Sequence, residues 1–94
     1  MSIDAVPETV DMVGLEKALA SVDGVKSIHH LHVWALSTTE NALSVHAVIT
    51  DVSRLNSTIA ALKTTARSYG ITHSTIEAET GTPPCDNHSI LSAD

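Results

Sequence analysis

The residues with the most chemistry to offer are histidines and carboxylates, six His and 11 Asp and Glu beside a single Cys in a chain of 94 residues. Imidazole nitrogen and carboxylate oxygen are the donors that borderline divalent metals prefer, three or four of them around Zn²⁺ at roughly 2.0–2.2 Å. His29, His30 and His32 crowd one short segment, His46 stands alone in a second, and Glu77 and Glu79 follow His73 in a third. Cys85 and His88, three apart near the end of the chain, could form a further site. No compact motif such as CxxC or HExxH is present. A metal site must therefore be assembled from separate elements, and the elements decide whether it exists.

Charge and length narrow the field. Five Lys and Arg against 11 Asp and Glu leave a formal charge of −6 and a pI near 5.3, so no basic face can neutralise phosphates and nucleic acid is excluded as a partner. Folding would remove about 64% of the extended-chain surface, enough for one small core and one domain. The apolar runs fall far short of the roughly 20 residues that span a bilayer. Met1–Pro7 lacks the positive and apolar regions of a signal peptide, and the lone Cys85 has no partner for an internal disulfide. With only Trp34 and Tyr69 as aromatics, there is no platform for stacking bases.

The spacing predicts a helix after Asp11, where Met12, Leu15, Leu19 and Val22 form one apolar stripe that Asp23-Gly24 closes. From Val25 to Leu36 the period changes to two, with Leu31, Val33 and Ala35 alternating with His30, His32 and Trp34. A polar connection over Ser37–Asn41 leads to a second strand, Ala42–Thr50, whose core face is Leu43, Val45, Ala47 and Ile49 and whose other face carries Ser44, His46 and Val48. Asp51 or Ser53 caps a second helix bearing Leu55, Ile59, Leu62, Ala66 and Tyr69, which Gly70 ends. A third strand runs from Ile71 to about Glu79, with His73, Thr75, Glu77 and Glu79 on one face. Thr80–Pro84 then breaks regular structure.

The order is α-β-β-α-β, and the piece helix, glycine, strand occurs twice. Two helices cannot cover both faces of three strands, so the sequence predicts an α+β two-layer sandwich with helices on one face and the other face open. His46, Glu77 and Glu79 fall on that open face, with one or more of His29, His30 and His32. A zinc site there is the sharp expectation.

The segment Gly24-Val25-Lys26-Ser27-Ile28-His29-His30-Leu31-His32-Val33-Trp34, the following Ser44-Val45-His46, and the closing Thr75-Ile76-Glu77-Ala78-Glu79 resemble the cytosolic C-terminal domain of cation diffusion facilitators, in the CzcD/ZnT-like branch of zinc exporters. The resemblance covers about residues 5–88, and Asp4–Glu8 is similar to the segment joining the last membrane helix to this domain. On this resemblance residues 1–10 are a lead-in from an absent transmembrane domain, 11–80 a ferredoxin-like, metallochaperone-like regulatory domain, and 81–94 a flexible tail. Met1 would then begin an excised piece of a membrane transporter of the inner or plasma membrane. The resemblance implies a homodimer in the cytoplasm, tightened by Zn²⁺, with Cd²⁺, Co²⁺ or Ni²⁺ as other possible cations. It carries the metal site onto His29, His46 and Glu79, and implies no enzymatic activity. His30 stands where some relatives have Asp, and Glu77 where many have Gln. Both departures add donors.

Strict alternation places His30 and His32, and not His29, on the face of Trp34. The resemblance favours His29, and a bulge or strand start near Ile28 would reconcile the two. His32 is then the next ligand or an interface residue, and Trp34 a dimer-interface residue rather than a cation–π device. His32, His73, Glu77, Cys85 and His88 are secondary metal candidates. For His30 and His73 the plainer reading is a solvated or hydrogen-bonded strand histidine, and Glu77 could equally be a solvated strand carboxylate. Two other classes stay open: a soluble metal carrier or small-ligand sensor, which would commonly use the CxxC loop missing here, and an enzyme using Cys85 or a metal-bound water, for which no oxyanion hole or phosphate cradle is evident.

Overall fold

The structure, a computed structural model, describes Pro7 and residues 9–80. Most of the expected lead-in and the whole of the expected tail, Cys85 and His88 included, lie outside the described residues.

Asp11 accepts a hydrogen bond from the Gly14 amide at 3.0 Å and so caps α1, Met12–Ala20. Leu15 and Leu19 from its inner face are fully buried. Strands β1 (Val25–Ala35) and β2 (Asn41–Ile49) pair antiparallel, and β3 (His73–Thr80) adds parallel to β2, giving a three-stranded mixed sheet in the order β1-β2-β3. Asp51 caps a short 3₁₀ turn, Val52–Arg54, that runs directly into α2, Leu55–Ser68. Both helices lie on one face of the sheet, over Val33, Leu43, Val45, Ala47 and Ile49, with Leu62, Ala66 and Ile71 completing the core. This is the two-layer α+β arrangement the hydrophobic pattern predicts.

Two details differ from the sequence reading. The third strand begins at His73 rather than Ile71, because Ile71 still belongs to the end of α2: its amide donates to Ala66 O at 3.1 Å while the Gly70 amide donates to Arg67 O at 3.0 Å. These are the two bonds of a Schellman cap, with Gly70 at φ +89° in the position that favours glycine. In addition, Thr58 on α2 is buried at 2% exposure, outside the apolar stripe that the spacing defines. Its hydroxyl sits under Gly24, at φ +97° in the turn that joins α1 to β1.

Strand β1 has 11 residues against nine in β2, and the surplus is taken up by two irregularities, between Val25 and Ser27 and between His29 and His32. In the second, His29 stands opposite His46 and His32 opposite Ser44, so His30 and Leu31 together face Val45. Two residues against one is a β-bulge. His30 is the non-glycine residue with positive φ among those described, at +57°.

Candidate metal centre

Directly opposed residues of an antiparallel pair share a face, with Cβ atoms roughly 4.5–5.5 Å apart. His46 alternates with the core residues Val45 and Ala47 and so belongs to the open face, and His29 joins it there through their pairing. His32 and Trp34, opposite Ser44 and Ala42, share the same face. The bulge thus places both His29 and His32 on the open face, which an unbroken alternation cannot do. Glu77 lies beside His46 on the other side, and Glu79 one step along, beside Val48. His29, His46 and Glu77 form one row across the three strands.

His46 is the centre of the row, its side chain only 17% exposed. Its Nε2 lies 2.6 Å from Glu77 Oε1, and its Nδ1 lies 3.1 Å from Glu79 Oε2. The first places the Glu77 carboxylate against one ring nitrogen, and the second has the geometry of a hydrogen bond. The second is close to the separation of about 3.3 Å expected between two donors that share a tetrahedral zinc at 2.0–2.1 Å each. Either ring nitrogen can donate as N–H to its carboxylate, and a ring nitrogen without its proton offers the lone pair that a metal takes. Glu79 is well covered, its side chain 11% exposed, whereas Glu77 is 53% exposed.

The remaining histidines surround this pair unevenly. The His30 ring meets the His46 ring edge to face, with centroids 5.1 Å apart and planes at 66°. His29 Nε2 is 3.2 Å from Ser27 Oγ, turned along its own strand. His32 is exposed immediately after the bulge. His73 pairs with Ala42 at the far end of the face, roughly 13 Å from the His46 row at 3.3 Å per residue, and its Nε2 lies 3.5 Å from Glu40 Oε1. Among the described residues no three His, Cys, Asp or Glu side chains already converge as a ready cage. The donor types, imidazoles and two carboxylates on three adjacent strands, are those a borderline divalent cation prefers.

The sequence profile described as "Cation efflux protein, cytoplasmic domain" matches residues 7–80. This chain belongs to that family. Other cation efflux proteins are similar along nearly the whole chain: 38% identity over 86 residues with the metal cation efflux system protein CzcD of Cupriavidus metallidurans, covering 89% of this chain, and 32% over 88 residues with the cadmium, cobalt and zinc/H(+)-K(+) antiporter of Bacillus subtilis, covering 90%. The chain spans only 27% and 28% of those two relatives' lengths. A solved structure, the metal-bound C-terminal domain of the CzcD transporter, superposes with a TM-score of 0.65 at 38% identity, covering 74% of this chain and 99% of that one. The shared fold is the ferredoxin-like sandwich expected of a cation efflux cytoplasmic domain. No helix among the described residues is long and apolar enough to cross a membrane.

His30, expected as a solvated or hydrogen-bonded strand histidine, is exposed, and its ring also meets that of His46. The available signal was density: three histidines within four positions are more than plain alternation can bring to one face. Trp34, half-buried opposite Ala42, stands on the same open face.

Proposed function

We propose that this chain is the metal-sensing, dimer-forming cytoplasmic domain of a divalent-cation efflux transporter, and that His29, His46 and Glu79 hold the cation, with Glu77 orienting His46. The observation that carries the reading is His46, held on the open sheet face with a carboxylate at each ring nitrogen, Glu77 at 2.6 Å and Glu79 at 3.1 Å. The names of the relatives support the cation class: cadmium, cobalt and zinc for one antiporter, and a metal-bound domain for the structural neighbour. Zn²⁺ is the first choice for histidine and carboxylate donors, and Cd²⁺, Co²⁺ and Ni²⁺ suit the same set.

The mechanism is linkage. The domain dimerises beneath the membrane-embedded part of the same transporter, on the cytoplasmic side, and its two protomers exchange between a splayed and a compact arrangement. A chain of charge −6 repels its own copy, and each bound divalent cation cancels two of those charges. If the donors are better placed in the compact dimer, occupancy shifts the population toward it by the difference in binding free energy between the two forms and by no more. The dimer thereby reports cytosolic metal to the transport machinery.

Small-angle scattering with in-line mass determination tests the reading directly. The expected result is a dimer whose radius of gyration falls as zinc is added; a monomer indifferent to zinc overturns it. Titration calorimetry on variants then locates the site. His46→Ala and Glu79→Ala should each weaken zinc binding by more than about a hundredfold, above the usual effect of losing an outer-shell partner, while His73→Ala should leave it within about twofold.

A further inference from the structure

We infer that His30 is a ligand to the same cation, and that the bulge in β1 exists to deliver it. The inference rests on the metal-binding reading above and adds to it a donor that the resemblance to cation efflux domains does not assign. Two observations carry it, one from the backbone and one from the side chain.

The backbone observation is the left-handed conformation of His30, φ +57°, inside an otherwise extended strand. A β-carbon is penalised there, and glycine would occupy the position without strain. A bulge alone would aim His29 and His32 onto the open face equally well with glycine between them. Histidine is among the non-glycine residues that tolerate this conformation best, so the bulge can carry a ring where most side chains would be strained.

The side-chain observation is where the ring goes. Its centroid lies 5.1 Å from that of His46. Two imidazoles on one tetrahedral zinc, each with Zn–N of about 2.0–2.1 Å, have centroids about 5 Å apart, because the ring centre stands roughly 1.1 Å behind the ligating nitrogen. His46 Nδ1 and Glu79 Oε2 stand at a separation that suits the same cation. His30 therefore lies beside His46 at the centroid separation that two imidazoles on one zinc would have. With His29 from the row, the set becomes three imidazoles and one carboxylate. Four protein donors close the coordination sphere, as befits a site that holds a cation rather than activating a water on it.

The test separates backbone from ring. His30→Gly removes the imidazole and relieves the left-handed residue, so the metal-free 94-residue chain should unfold at the same urea concentration or higher. His30→Asn provides a second variant, because asparagine also tolerates this conformation. Both should weaken Zn²⁺ binding at least about tenfold by calorimetric titration. In long-range ¹H–¹⁵N spectra of the wild-type chain, zinc should move an imidazole nitrogen of His30 together with those of His29 and His46, and should leave His73 in place. Unmoved His30 nitrogens, with both variants binding within twofold of wild type, would overturn the inference and leave the bulge as a device for aiming His29 and His32. If His46→Ala also binds zinc unchanged, the metal-site reading itself falls, and the His30 inference with it.

Discussion

The chain uses helix, glycine, strand twice, and the two copies are built differently. In the second, α2 ends on a Schellman cap with Gly70 open to solvent, and β3 runs without irregularity so that Glu77 and Glu79 reach the open face by plain alternation. In the first, the Val25 amide donates to Val22 O at 3.0 Å across a turn whose Gly24 leaves no room for a β-carbon over Thr58, and β1 carries two irregularities. One copy is regular and supplies carboxylates. The other is distorted and supplies histidines. The difference shows that a pseudo-repeat fixes where strands lie, while departures from regularity decide which side chains meet.

The largest effect expected from breaking this contrast is on stability. A β-carbon at Gly24 would stand 2.6 Å from Thr58 Oγ1, in a backbone conformation that L residues avoid, whereas one at Gly70 would meet nothing within 4 Å in a similar conformation. Gly24→Ala should therefore cost about 2–4 kcal/mol, overpacking added to backbone strain, and Gly70→Ala about 1–2 kcal/mol from strain alone. Urea unfolding of the two variants measures the gap. Adding Thr58→Ala to Gly24→Ala should recover part of the loss by opening the space, and should recover nothing in the Gly70→Ala background. Equal costs for the two glycines would mean that the turns are interchangeable and the contrast is one of strands only.

The next largest effect concerns the regular copy's two carboxylates, which face one imidazole at 2.6 and 3.1 Å. If Glu77 orients His46 and Glu79 ligates, Glu77→Ala should weaken zinc binding about 10- to 100-fold. Glu77→Gln should stay within a few-fold of wild type, because an amide oxygen still accepts from Nε2–H. Glu79→Gln should lose far more, since an amide is a poor substitute for a carboxylate ligand. Calorimetry on the three variants decides the division of labour. A Glu77→Gln loss as large as that of Glu79→Gln would make both carboxylates ligands.

How much of this was legible in the sequence follows from the same contrast. The core face of β2, the two helices and the open face could be read directly, because Leu43, Val45, Ala47 and Ile49 alternate cleanly and Leu15, Leu19, Leu62 and Ala66 repeat at helical spacing. Glu77 and Glu79 were readable for the same reason. The β1 histidines were not, because alternation carries no record of a surplus residue: past one bulge every later side chain changes face. Strict period two therefore set His29 against His32, and the choice between them dissolves once His30 and Leu31 share one rung opposite Val45. Thr58 escaped because a threonine beneath a glycine turn leaves no periodic trace.

The smallest effect expected lies at the entry to the regular copy. Asp11 caps α1 directly, but α2 is reached through the 3₁₀ turn, where Asp51 Oδ1 accepts from the Ser53 hydroxyl at 2.6 Å and from the Ser53 amide at 3.0 Å. Those two bonds, the hydroxyl first, hold the Asp51 carboxyl below its ordinary value. A carboxylate with a lowered pKa in the folded state adds stability that is fully present above its unfolded value, about 3.9, and is lost as pH falls through the folded one. Ser53→Ala removes the hydroxyl bond and keeps the amide bond, so it should lower the urea midpoint of the metal-free chain slightly at about pH 6 and by less at acid pH as Asp51 becomes protonated. Alanine's better helix propensity shifts both measurements alike and cancels in the comparison. An offset that stays the same at both pH values would show that the hydroxyl steadies the turn without acting through the charge of Asp51.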